Sequence, residues 1–220
     1  MALMETHYYS FSLGSNITLN VFVPTPGSSE EITEINHTEK YDYEAGLPVL
    51  YLLHGAYGDA FSWIRYSNID RYAQDRGIVV VMASAENSFY QDLRSGKKYK
   101  TFFTEELPTF IQGVFPVSKD RKKTYVAGFS MGGYGTLKWM LRDPEKFAAF
   151  GLFSGIKNVP DILPEKEDNT DSFYMLASAF GDKANVKDTQ DDVVYMIKKQ
   201  KAAGKKFPRG YMATGVEDTH

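Results

Sequence analysis

Three features of the sequence predict an α/β fold: a mostly parallel central sheet with helices on both faces and an antiparallel hairpin at the N-terminus. Short continuous apolar runs at 48–53 (PVLYLL), 78–83 (IVVVMA), 123–128 (KTYVAG) and 147–154 (FAAFGLFS) suit strands buried on both faces. Segments with helical spacing alternate with them, as parallel strands joined by crossover helices require. The chain has 220 residues, 43% of them hydrophobic, which is enough for one sizeable core and favours a single domain over 1–220.

Taken in order, residues 8–13 and 17–23 alternate apolar and polar positions around Gly14, Ser15 and Asn16, which reads as the hairpin. Residues 24–43 are rich in Pro, Ser, Thr and Glu and read as a surface connection. The strand at 48–53 follows, then a short helix over 69–76 stopped by Gly77, then the strand at 78–83. Residues 101–114 carry apolar side chains at helical spacing, with acidic Glu105 and Glu106 toward the start and Pro108 near the beginning, where proline is tolerated. After the strand at 123–128 comes a helix over 131–142 and then the strand at 147–154. Residues 155–190 are mixed and polar and read as an excursion from the sheet, with a helix around 173–180. The segment 191–203 reads as an amphipathic helix with Val193, Val194 and Ile197 on one face. A last short strand is expected at 211–214, between Gly210 and Gly215.

Composition narrows the function. The net charge of -3, with both signs spread along the chain, argues against nucleic acid as a partner. There is no cysteine, so thiol nucleophiles, disulfides and thiolate metal sites are ruled out, and a reducing, cytoplasmic setting is expected. The first residues lack a signal-peptide pattern, and no apolar run is long enough to span a bilayer. Asn16 and Asn36 match the N-x-T triplet, a pattern common by chance. No metal or cofactor is expected, and the protein is expected to be a monomer or small homo-oligomer.

The chemistry is concentrated at Gly128-Phe129-Ser130-Met131-Gly132, which reads G-x-S-x-G between a buried strand and an amphipathic helix. Such a turn is tight and strained. Side chains two positions on either side of the serine would clash, so glycine stands at both. The serine oxygen is pushed out above the carboxyl end of the sheet, and the helix N-terminus points its N–H groups toward the negative charge that develops there. Just after the strand at 48–53, His54-Gly55-Ala56 is placed to bring a second backbone N–H toward the same point. His54 itself is expected to hold this loop rather than act as a base. At the far end, Gly215-Val216-Glu217-Asp218 follows the last strand, where a carboxylate would orient a histidine; Asp218 is preferred to Glu217.

These residues resemble the esterase D / putative esterase family of α/β-hydrolases, a group with tributyrin, acetyl and feruloyl esterases, S-formylglutathione hydrolases and mycolyltransferases. The resemblance covers most of the chain. It runs through Leu52-Leu53-His54-Gly55, Gly58-Asp59, Trp63, Asn87-Ser88-Phe89-Tyr90, Thr104-Glu105-Glu106-Leu107-Pro108 and, most specifically, Gly128 to Gly133. It implies an α/β-hydrolase fold, Ser130 as nucleophile, the N–H groups of Ala56 and Met131 as the oxyanion hole, and Asp218 as the acid of the triad. It implies hydrolysis of short-chain acyl, acetyl or feruloyl esters, on small molecules or carbohydrate. His54, Gly55, Trp63, Phe89 and Tyr90 are candidates to line the substrate cleft. The rival readings are an acyltransferase using the same serine, which transfer to an added acceptor would reveal, and a non-catalytic carbohydrate-binding homologue, which would bind sugar without turnover.

The family's catalytic histidine lies a few tens of residues beyond the acid, whereas His220 is the last residue here and His7, His37 and His54 all precede Ser130. A chain shortened at its C-terminus is the simplest expectation. A histidine from another chain and an inactive variant are the alternatives.

Overall fold

The computed structural model describes residues 1–26, 41–155, 158–163, 170–181 and 186–218. The hairpin strands β1 (Ala2–Ser10) and β2 (Ser15–Val23) are longer than the alternation alone indicated, and their four-residue turn falls at 11–14, ahead of Ser15 and Asn16. Then follow β3 (Val49–Leu53), α1 (Ser62–Tyr66), α2 (Ile69–Arg76), β4 (Val79–Ala83), α3 (Tyr99–Thr101) and α4 (Leu107–Val114). The second half contributes β5 (Thr124–Phe129), α5 (Met131–Arg142), β6 (Ala149–Phe153), α6 (Val159–Ile162), α7 (Asp171–Phe180), α8 (Val193–Ala202) and β7 (Arg209–Ala213).

The strands form one sheet in the order β1-β2-β4-β3-β5-β6-β7. The hairpin is antiparallel and joins β4 antiparallel; β4, β3, β5, β6 and β7 run parallel. Strand alternation divides the core. Val49, Tyr51 and Leu53 face the larger apolar layer with Val79, Val81 and Val126, covered by α4 and α5. Leu52, Val80 and Met82 face the smaller one, against Ala73 of α2 and the flanking Trp63, Ile64 and Ile69. Helices on both faces are what the continuous apolar runs in β3 and β4 require. The aromatic residues serve mainly this core: Trp139 meets Tyr51 at a tilt and Phe147 edge-on, with ring centroids 5.2 Å apart in each pair.

Several elements depart from the sequence reading, each for a physical reason. The helix expected from 101 begins at Tyr99, and between α3 and α4 it passes through a π-helical turn, Phe102–Glu106. Pro108 therefore lies in the helix interior. Because it has no N–H to donate, the wider turn, in which the Leu107 N–H reaches the Phe102 carbonyl, accommodates it. In α8 the inward face is Val193, Met196 and Gln200; Val194 and Ile197 are 44% and 38% exposed, so of the expected stripe of Val193, Val194 and Ile197 only Val193 faces inward, a correction for the other two. Helix α1 carried too few periodic positions to register. Strand β7 is exposed at every position. Asn36, His37, His220, and parts of the connection at 24–43 and of the excursion at 155–190 lie outside the described residues; within the excursion, α6 and α7 are seen. No helix among the described residues is long and apolar enough to cross a membrane.

Candidate active site

Ser130 sits in the turn from β5 to α5 with φ 52° and ψ -121°. This region is costly for any residue with a Cβ, of order 1–3 kcal/mol. The turn is held by what surrounds it. The Ser130 N–H reaches the carbonyls of Phe153 and Ser154 at 3.0 and 3.1 Å, and the Ser154 N–H reaches the Ala213 carbonyl at 2.8 Å. The carboxyl ends of β5, β6 and β7 are thereby laced together. Ser130 occupies the N-cap position of α5, where a serine ordinarily caps the helix with its hydroxyl, yet it makes no capping bond. Its positive φ departs from the extended backbone usual at that position, and among the described residues no hydrogen bond engages Oγ on the half-buried side chain.

The flanking glycines answer a steric demand. A Cβ on Gly128 would lie 2.3 Å from the Gly132 carbonyl oxygen, and one on Gly132 would lie 2.4 Å from the Leu53 oxygen and 2.7 Å from the His54 oxygen. The first turn of α5 therefore presses directly on β5 and on the loop after β3. Among the described residues no acceptor takes the N–H of Met131, at the start of α5, or that of Ala56, in the loop. Both donors are available for an incoming oxygen.

The loop after β3 is fixed by its successive carbonyls. Trp63 Nε1 donates to Leu53, the Tyr90 hydroxyl donates to His54, and His54 Nδ1 lies 2.7 Å from the Gly55 oxygen. The Ala85 N–H donates to His54 Nε2 at 2.8 Å, so this nitrogen is the acceptor and the ring proton sits on Nδ1, donating to Gly55. In a planar trans peptide the N–H points opposite the C=O. Anchoring the Gly55 carbonyl from one side thus directs the Ala56 N–H to the other.

His54 is 1% exposed and both ring nitrogens are engaged, so no lone pair is left to act as a base. Burial depresses its pKa below the ordinary 6.5, outweighing the Gly55 carbonyl and Asp59, which favour the cation. In the range below 6.5 the unfolded chain binds a proton on this ring that the folded chain does not. The stability from the neutral ring is therefore complete above 6.5 and declines as pH falls below it. Melting temperature should drop on acidification from about pH 7.5 to about pH 5, and His54→Gln, which keeps an acceptor and a donor without titrating, should flatten that slope. An unchanged slope in the variant would mean that other groups set it.

The other residues expected at the site are not all where a cleft would need them. Phe89 and Tyr90 are 3% and 4% exposed and belong to the core. Phe89 meets Phe180 and Tyr134 edge-on, while the Tyr90 ring fills the space left by Gly135, whose Cβ would fall 2.5 Å from it. Together with the buried His54 they brace the loops from behind and present almost no side-chain surface, a correction to their place in the substrate cleft. Gly55 is covered by the Phe129 ring, which a Cβ would approach to 2.7 Å. Trp63 is half-buried and stands edge-on to Phe129. Asp218 follows β7, half-buried; its N–H reaches the Gly215 carbonyl and it accepts from Thr214 Oγ1 at 3.2 Å. The other described histidine, His7, is on β1, four strands away from β5, and bonds Thr18 and Glu5. Among the described residues no group of three or more His, Asp or Glu side chains could hold a metal ion.

The sheet and the serine turn define the class, that of the α/β serine hydrolases. The chain belongs to the putative esterase family, whose model matches residues 28–207. It is 29% identical over 222 residues to an acetyl esterase of Caldicellulosiruptor saccharolyticus, covering 99% of this chain and 81% of that one. The substrate-bound fluorophosphonate-binding serine hydrolase F of Staphylococcus aureus superimposes with a TM-score of 0.82 at 28% identity, over 98% of this chain and 80% of that one. An S-formylglutathione hydrolase of Staphylococcus aureus does so with a TM-score of 0.79 at 29% identity, over the same shares of the two chains, 98% and 80%.

Proposed function

We propose that the protein is a carboxylesterase that cleaves short-chain acyl, acetyl or feruloyl esters, free or on carbohydrate, through an acyl-enzyme on Ser130. The observation that carries this is the strained turn at Ser130, which holds a serine hydroxyl free of its usual capping role at a helix N-terminus. Ser130 Oγ attacks the ester carbonyl and a histidine takes its proton. The tetrahedral oxyanion accepts from the N–H groups of Ala56 and Met131. The alcohol leaves with the proton, and water releases the acid by the reverse route.

Asp218 is the residue that orients this histidine. It follows β7, two strands from β5, and strands lie about 4.8 Å apart, which leaves room for an imidazole between carboxylate and serine. His54 and His7 are both engaged elsewhere, so the base is a histidine outside the described residues. We read residues 1–220 as one domain with an excursion at 155–190, acting as a monomer or small homo-oligomer in a reducing compartment.

Incubation with a fluorophosphonate, followed by peptide mapping, tests the nucleophile. One adduct is expected, on the peptide that holds Ser130. An adduct on another serine would overturn the assignment.

A further inference from the structure

Residues 54–60 are tied to the loop at 84–90 by four hydrogen bonds. Three are the Ala85 N–H to His54 Nε2, the Tyr90 hydroxyl to the His54 carbonyl, and the Ala60 N–H to Ser84 Oγ. The fourth is the Tyr57 N–H to Asn87 Oδ1, at 2.7 Å. Tyr57 is in the left-handed region, with φ 61°, and its side chain is 70% exposed. Burial cannot hold a tyrosine in so unfavourable a backbone conformation. What holds it is the turn bond from the Gly58 N–H to the Gly55 carbonyl, 3.2 Å long, and the shorter bond to Asn87.

Two rigid peptide planes meet at the Ala56 Cα, and only its φ and ψ relate them. One plane carries the Gly55 carbonyl and the Ala56 N–H, and His54 fixes it. The other carries the Ala56 carbonyl and the Tyr57 N–H, and Asn87 fixes it. With both planes anchored the Ala56 N–H has a set direction. Without the second anchor, Tyr57 can relax from its strained φ and turn the plane beside it.

We propose that Asn87 is a positioning residue of the oxyanion hole, its Oδ1 holding the Ala56–Tyr57 peptide so that the Ala56 N–H points at the reacting carbonyl oxygen. This rests on the reading of Ser130, Ala56 and Met131 given above. Asn87 and Tyr57 also line a cleft of about 340 Å³ with Glu86, Asp171, Met175 and Ser178.

The test compares Asn87→Ala and Asn87→Asp with wild type and Ser130→Ala in the full-length protein. With p-nitrophenyl acetate, Asn87→Ala should lower kcat by about 10- to 100-fold, the scale of a small misplacement, with KM within about twofold. Asn87→Asp, which keeps Oδ1, should recover most of the loss. In parallel, the Tyr57 amide should exchange with solvent at least about tenfold faster in Asn87→Ala, and this readout needs no turnover. Wild-type kcat in Asn87→Ala, an aspartate no better than alanine, or unchanged Tyr57 exchange would each overturn the role of Asn87. Turnover that survives Ser130→Ala would overturn the reading of the site as well, whereas Ser130-dependent turnover indifferent to Asn87→Ala removes Asn87 alone.

Discussion

Replacing Ser130 by alanine is expected to lower turnover of p-nitrophenyl acetate by about 10⁴- to 10⁶-fold, to the rate that oxyanion donors and binding alone sustain. Replacing it by glycine should cost as much activity and yet leave a firmer protein. The backbone at Ser130, φ 52° and ψ -121°, is one that alanine shares at the same penalty and glycine adopts freely. The glycine variant gives back part of this through its more flexible unfolded chain, so the net difference between the two variants should be roughly 1 kcal/mol. For a domain of this size that is about 2–4 °C in melting temperature, with glycine above alanine. The comparison of two inactive variants isolates strain from chemistry. If glycine melted below alanine, the turn would not be the stored strain that presents the hydroxyl.

The sequence displays the proposed nucleophile because the demands on it are local. A tight turn between a buried strand and a helix needs glycine at fixed offsets, and that need is written within five residues, Gly128 to Gly132. Strands β3 and β5 and helix α5 were legible for the same reason: short apolar runs leading into glycine-bearing turns, and a helical segment closed by Asp143 and Pro144. The loop after β3, proposed to carry one oxyanion donor, was legible only in outline. Its position after β3 could be read, but its orientation depends on Trp63, Ala85, Asn87 and Tyr90, which lie between ten and thirty-six residues away along the chain. No spacing rule announces such pairings. Phe89 and Tyr90 looked like cleft residues because aromatic side chains in a loop usually have a surface to cover. Their positive φ values, 50° and 56°, instead accompany rings that lie in the core. Helix α8 misled in a related way. Val194 and Ile197 are apolar, but packing against α5 selects Val193 and Met196, and the polar Gln200 earns its inward place by donating to the Leu141 carbonyl.

Gly132→Ala should damage both folding and function through one methyl group. Its Cβ would stand 2.4 Å from the Leu53 oxygen and 2.7 Å from the His54 oxygen, both backbone atoms with no flexible side chain to give way. Both oxygens are also held, by Trp63 Nε1 and the Tyr90 hydroxyl, so the loop cannot retreat without breaking buried hydrogen bonds. The alternative is for the first turn of α5 to lift away from β3, carrying the Met131 N–H with it. Either movement opens the distance between the two proposed oxyanion donors, Met131 on the helix and Ala56 on the loop. Overpacking of this kind costs about 1–3 kcal/mol of stability. The catalytic loss should be larger, about 10²- to 10³-fold in kcat, comparable to removing one oxyanion donor. KM should change little, because the donors act on charge that exists only in the transition state. Gly96→Ala is a poor control because of its φ of 96°, while Gly113, on the exposed side of α4 with nothing near its missing Cβ, is a good one; Gly113→Ala should leave kcat unchanged. Stability and thermal midpoint come from the same samples as kcat, so the two effects separate. A Gly132→Ala protein that melts lower but keeps its kcat would show that the first turn of α5 supports the fold without setting the hole.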